Sequence, residues 1–206
     1  RQVVAVGAQS GIETLSELAG KTIAVAAVGA NSSIIALIVN LFVGIALGAN
    51  VIIANAIGRN DREAVQKAVH TSIVVAVLCG ILVAAVGELI AAPLLSSLHV
   101  PEDVLPSALL YLRIYLLGMP VILLYNFEAA IFRSVGNTRT PLIALFTSGI
   151  LNVALNLFFV AVLRMTVNGV AIATVLSNAV SSVLLFRRLR TTQQHIHVEW
   201  QALRID

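Results

Sequence analysis

The spacing of its charges limits this chain more than any other feature. After Lys21 no charged side chain occurs until Arg59, and Thr140–Leu163 and Met165–Phe186 carry none at all. A helix that crosses a bilayer needs about 20 consecutive apolar residues, and both stretches reach that length. The same spacing predicts a span at about Ser32–Ile57, after the polar lead-in "ANSS", and another at about Val69–Leu94, interrupted by Glu88. A further span is predicted over Leu105–Ser134, with Pro120 inside it as a kink. The expected fold is an all-α membrane protein of about five transmembrane helices. Composition agrees: 59% of the 206 residues are hydrophobic and 11% charged, against roughly 25% charged in soluble domains.

The loops between these spans differ in charge. Arg59, Arg62 and Lys67 lie in one, Arg133 and Arg139 in another, and Arg187, Arg188 and Arg190 follow the last span. The intervening loops "SSLHVPEDVLPS" and "RMTVNG" offer only Arg164. By the positive-inside rule the basic loops are cytoplasmic. That orientation leaves the N-terminus outside with no helix to carry it there, so a helix is expected to be missing in front. The expected segments are 1–20 as an unmatched lead, 21–190 as the transmembrane lobe, and 191–206 as a cytoplasmic tail or linker.

Several function classes are disfavoured. The net charge of +3 comes without a Lys/Arg cluster interleaved with aromatics, so nucleic acid is not expected as a partner. The lone Cys79 has no disulfide partner, and the start of the chain lacks a signal-peptide pattern. There is no phosphate loop, no G-x-S-x-G elbow and no H-E-x-x-H helix, so no enzyme is expected. "HIH" at His195–His197 has no third ligand, so neither a metal site nor a cofactor is expected, and Trp200 reads as an interfacial anchor.

Positions four apart lie about 40° apart around a helix. Ser148, Asn152 and Asn156 therefore form one stripe, and Thr174, Ser177, Asn178 and Ser181 another on the following, antiparallel span. Asn152 and Thr174 fall at similar depth. Either the stripes hydrogen-bond to one another and join the helices, at about 0.6–2 kcal/mol per contact, or they line a polar cavity. Asn40, with Gly44 and Gly48 at four-residue spacing, suggests a close helix approach. Glu128 is the conspicuous intramembrane acid, a functional hypothesis by default. It reads either as a proton or cation partner or as a carboxyl that reaches water, because Arg133 marks a membrane edge within about two turns. Glu88 and Arg113 are expected to pair across adjacent spans. Gly136–Pro141 reads as a tight turn that starts a helix.

Taken in order, "AAVGANSS", "VGIALGANVIIANAIGRNDREAVQKAVHT", "PEDVLPSALLYLRIYLLGMP", "YNFEAAIFRSVGNTRTP", "LNVALNLFFV" and "VNGVAIATVLSN" resemble the multidrug and toxic compound extrusion (MATE) family of cation-coupled efflux transporters. The resemblance implies two lobes of six helices that rock to expose a central cavity alternately to each side. This chain would supply helices two to six of the amino-terminal lobe, with the first missing or replaced and the second lobe absent. A fragment of that kind is not expected to transport on its own.

The implied activity is export of organic cationic or amphipathic small molecules in exchange for Na⁺ or H⁺. The implied location is the cell membrane, the inner one in a Gram-negative cell, and the implied partners are the bilayer and the second lobe. The family's ion site in this lobe uses a first-helix aspartate, an Asn and an acid four apart on the fifth helix, and a Thr on the sixth. Those positions fall here on Asn152, Asn156 and Thr174. Asn156 stands in place of the acid and cannot titrate, and the first-helix aspartate has no counterpart. Glu128 joins these as a candidate for coupling, while Asn40, Ser148, Ser177, Asn178 and Ser181 are candidate cavity-lining groups. The alternatives are a lipid-linked saccharide flippase of the same superfamily and a non-transporting membrane partner that assembles by helix packing.

Overall fold

The structure, a computed structural model, describes residues 15–192 and 196, with side chains from Ile23 onward except Ala24. The "HIH" and Trp200 expectations fall on residues outside this range. The described elements are α1 (Leu15–Gly58), α2 (Arg62–Ser97), α3 (Leu105–Leu117), α4 (Met119–Ser134), α5 (Arg139–Leu157), a π-helical turn (Phe158–Val162) and α6 (Val167–Thr191). No strand occurs among the described residues. Four helices are long and apolar enough to cross a membrane, and α3 with α4, bent by 49°, is long and apolar enough to make a fifth if the pair is one span.

Helices α1 and α2 outrun the expected spans. The lead-in "ANSS" stays within the helix, and its polar side chains are satisfied there by folding back onto the helix's own carbonyls. Asn31 Nδ2 donates to Ala27 O at 2.8 Å and Ser32 Oγ to Gly29 O at 2.7 Å. Helix α1 is therefore continuous from Leu15 and runs through the expected boundary at residue 20.

The "GRND" corner then closes α1. Asn60 adopts a left-handed φ of 56°, which ends the helix. Asp61 Oδ1 accepts from Ala64 N at 3.0 Å and caps α2. The second basic corner works alike: Gly136 turns at φ 74°, and Asn137 Oδ1 accepts from Thr140 N at 3.0 Å to start α5.

The third span breaks at Gly118, two residues before the expected Pro120 kink, and Pro120 sits in the first turn of α4. Packing explains the position. A Cβ on Gly118 would lie 2.4 Å from Val175 Cγ2 on α6, and one on Gly80 of α2 would lie 2.3 Å from Pro120 Cα. Two glycines thus let three helices cross at one level.

Below this crossing α4 is the hub, packed on α1, α2, α5 and α6. Its residues Ile122, Leu123, Phe127, Ala129, Ala130 and Ile131 are buried. At about 25 cal/mol per Å² of apolar surface removed from solvent, such burial would drive folding in water. In a bilayer the same close packing acts through van der Waals fit.

The face of α1 that carries Asn40, Gly44 and Gly48 is not a helix contact within this chain. Asn40 is exposed, and an added Cβ at either glycine meets nothing within 4 Å. The packed stripe of α1 runs instead through Ala27, Asn31, Ala46, Ile53 and Ala56. The helical period allows either stripe, and the small Ala residues at the second one admit α3 and α4.

Candidate functional site

Helix α5 meets the rest of the molecule along one narrow stripe. Pro141, Ala144 and Ser148 are its buried residues, and Asn152 and Asn156 continue the line half-buried. The remainder of α5 is largely exposed apolar surface, including Leu145, Phe146 and Val153. Across the stripe α6 presents Ser181, Ser177 and Thr174. Ser181 Oγ donates to Ala144 O at 2.9 Å, which fixes the register of the two helices.

From that anchor a directed chain of amide bonds runs inward. Asn156 Nδ2 donates to Asn152 Oδ1 at 2.9 Å. Asn152 Nδ2 donates in turn to Thr174 Oγ1 at 3.3 Å and to Ser177 Oγ at 3.2 Å. The hydroxyls pass on to backbone: Thr174 Oγ1 donates to Val170 O and Ser177 Oγ to Thr174 O, each at 3.0 Å. Asn178 Nδ2 donates to Thr174 O at 2.8 Å.

Sequence spacing placed Asn152 opposite Thr174, and the structure brings them into contact. One atom at the open end of the chain is left over. Asn156 Oδ1 is buried and accepts nothing among the described residues. It can take a donor or a cation, since a neutral amide oxygen is a hard ligand. Two residues later the helix widens into the π-helical turn, where Leu163 N donates to Phe158 O at 3.1 Å. Such turns often adjoin functional groups.

A second polar pair lies on another side of α6. Ser182 Oγ donates to Glu128 Oε2 at 3.0 Å, while Glu128 Oε1 is buried without a partner. Glu128 is 0% exposed. Of the two readings of Glu128, the one in which it reaches water from near the membrane edge therefore fails. Depth along the helix axis puts it within two turns of Arg133, but α4 is enclosed laterally, and lateral cover decides access. Among the described acidic residues it is the one that is fully buried. Ionised, a carboxylate can only accept; protonated, it gains a donor.

Glu88 and Arg113 pair as expected, Nε to Oε2 at 3.4 Å, and tie α2 to α3. Of the other candidates, Ser148, Ser177 and Ser181 are buried, Asn178 is half-buried, and Asn40 lies exposed and apart from them. Sequence reasoning missed Asn31. Its side chain is 0% exposed and also donates to Ala108 O on α3 at 2.8 Å, with Oδ1 left without an acceptor role. The available signal was its place four residues after Ala27 in an otherwise apolar run.

A family model described as MatE matches residues 14–158. The probable multidrug resistance protein YoeA of Bacillus subtilis (strain 168) is 28% identical over 171 residues, which cover 81% of this chain and 37% of that protein. The chain thus spans a little over a third of the length of the curated relatives it matches. Among solved structures, an inward-facing multidrug resistance MATE family transporter of the MOP superfamily superposes with a TM-score of 0.83. The identity is 24%, and the match covers 87% of this chain and 41% of that one. An outward-facing counterpart gives 0.81 at 24% identity, over 93% of this chain and 44% of that one. With four helices, or five if the bent pair is one span, long and apolar enough to cross a membrane, and with this fold, the chain is a multi-pass membrane protein.

Proposed function

The chain belongs to the MatE family, and on that premise we propose that it forms one lobe of a secondary transporter. The transporter would export organic cationic or amphipathic compounds in exchange for Na⁺ or H⁺. The observation that carries this reading is the amide chain Asn156–Asn152–Thr174/Ser177 between α5 and α6, ending in an unpartnered amide oxygen inside the lobe. A coupling ion acts by binding one packing of the lobe more tightly than another. Oxygen ligands shared between two helices supply that difference, because their spacing changes when the helices shift. Asn152 holds the hydroxyls of α6 in place, Asn156 presents its free oxygen, and Thr174 links both to the backbone. None of the three titrates, so a proton-coupled cycle would fall to Glu128, the one fully enclosed acid among the described residues.

The similar fit to inward- and outward-facing transporters, 0.83 and 0.81, supports alternation by movement of whole lobes. The test is efflux of a fluorescent organic cation from proteoliposomes holding the full-length protein, driven by a Na⁺ gradient or by a pH gradient. Asn152→Leu is expected to slow gradient-driven efflux at least tenfold while the protein still inserts. Efflux unchanged in that variant, or efflux indifferent to both gradients, would refute the reading.

A further inference from the structure

Helices α2 and α6 both pack on α4, and between their cytoplasmic halves the surface opens into a groove of about 520 Å³. Val74, Val77 and Leu78 of α2 form one wall, Val183 of α6 part of the other, and Leu124 of α4 contributes from behind. The polar side chain nearest the floor is Ser182, and its hydroxyl is turned away into the bond with Glu128. The groove therefore presents hydrocarbon along its depth. At one end that changes: Arg187 and Arg190 line it. They stand three residues apart, so about 60° apart around α6 and about 4.5 Å along it. Both are exposed, and neither makes an ion pair among the described residues.

By the positive-inside rule these arginines lie at the cytoplasmic surface, and the hydrocarbon walls run from them toward the membrane centre. The matching occupant is long, apolar and anionic at one end, with its charge at headgroup depth. We propose that this groove is a site for an anionic phospholipid of the inner leaflet, its phosphate held by Arg187 and Arg190 and one acyl chain laid against Val77, Leu78 and Val183. A zwitterionic lipid would answer the arginines less well, and free phosphate would leave the apolar walls unused. Basic pockets between spanning helices on this side of a membrane are a recurrent form of headgroup recognition. The site is separate from the amide chain and holds whether or not the transport reading does.

Native mass spectrometry of the full-length protein, released from detergent after incubation with phosphatidylglycerol, phosphatidylcholine or inorganic phosphate, tests the proposal. Phosphatidylglycerol is expected to be retained about tenfold better than phosphatidylcholine, a difference of about 1.4 kcal/mol. The double variant Arg187→Gln/Arg190→Gln should abolish the preference. Arg59→Gln/Arg62→Gln removes the same charge at the α1–α2 corner and should leave it intact. Val183→Trp, at a position already 52% exposed, should block the groove and lower retention without moving the thermal midpoint. Equal loss in both arginine pairs would mean diffuse attraction and overturn the site. So would full retention in Val183→Trp, or displacement of the lipid by millimolar phosphate.

Discussion

Helix α6 carries a polar region on each of two sides, and they are built on opposite principles. Toward α5 it meets Asn152, whose amide both gives and accepts, and Asn156, which gives, so that four side chains hand their bonds down to Val170 O and Thr174 O. Toward α4 it meets Glu128, which takes one bond from Ser182 and has a second oxygen without any. Among the described residues each region leaves one buried oxygen without a partner, Asn156 Oδ1 and Glu128 Oε1. The amide region is half-buried and neutral, the carboxyl region fully buried and ionisable.

An unpaired charge in an apolar interior costs far more than an unpaired amide. Gaining or losing a proton alters the bonding of Glu128 and leaves that of the asparagines as it was. The amides are suited to holding a geometry, the acid to changing one.

Breaking both regions together should have the largest effect. Gly118→Ala puts a methyl 2.4 Å from Val175 Cγ2, next to Thr174. Valine is stiff about χ1, so α6 must move off α4. A loss of about 1–3 kcal/mol is expected, read as a lowered thermal midpoint in detergent, and an unchanged midpoint would contradict the tight crossing.

Next comes the amide region alone. Asn152→Leu strands the Asn156 amide and removes the bridge to α6, for about 1–2 kcal/mol in denaturant unfolding. A double-mutant cycle with Thr174→Val should show coupling, and strict additivity would mean that the 3.3 Å contact contributes nothing.

The smallest effect sharpens the contrast. Glu128→Gln keeps an acceptor for Ser182, and its amide nitrogen takes the place of an oxygen that already lacks a partner, so stability should change by about 1 kcal/mol or less. A loss of about 3–5 kcal/mol would instead reveal a buried cation partner.

The place of each long apolar helix along the chain was legible in the sequence, whereas direction around each helix was legible only in places. Charge gaps located the spans, and the basic corners located their ends, because ionised side chains must reach water. The i, i+4 spacing of Asn152 and Asn156 also pointed at Thr174 correctly, since polar groups in an apolar helix turn toward one another. Where a helix is apolar all round, lipid and protein neighbours read alike. That is why Gly44 and Gly48 suggested a contact that this chain does not make, and why the enclosure of Glu128 was hidden. Asn31 was lost for a related reason: its polar neighbours looked like an end to the helix, yet the bonds to Ala27 and Ala108 carry the helix through.

The bend at Gly118 has a bearing on how the chain is threaded. Neither α3, with 13 residues, nor α4, with 16, is as long as the roughly 20 residues that a crossing takes. At 49° the two halves run on in one general direction, and taken as a single traverse they give a parity of crossings that places all three arginine-rich ends on one side. Had the chain doubled back at Gly118, the parity would flip for everything downstream, and Arg187, Arg188 and Arg190 would have to pass through the bilayer. A shallow angle at one glycine thus sets the sidedness of the last two helices.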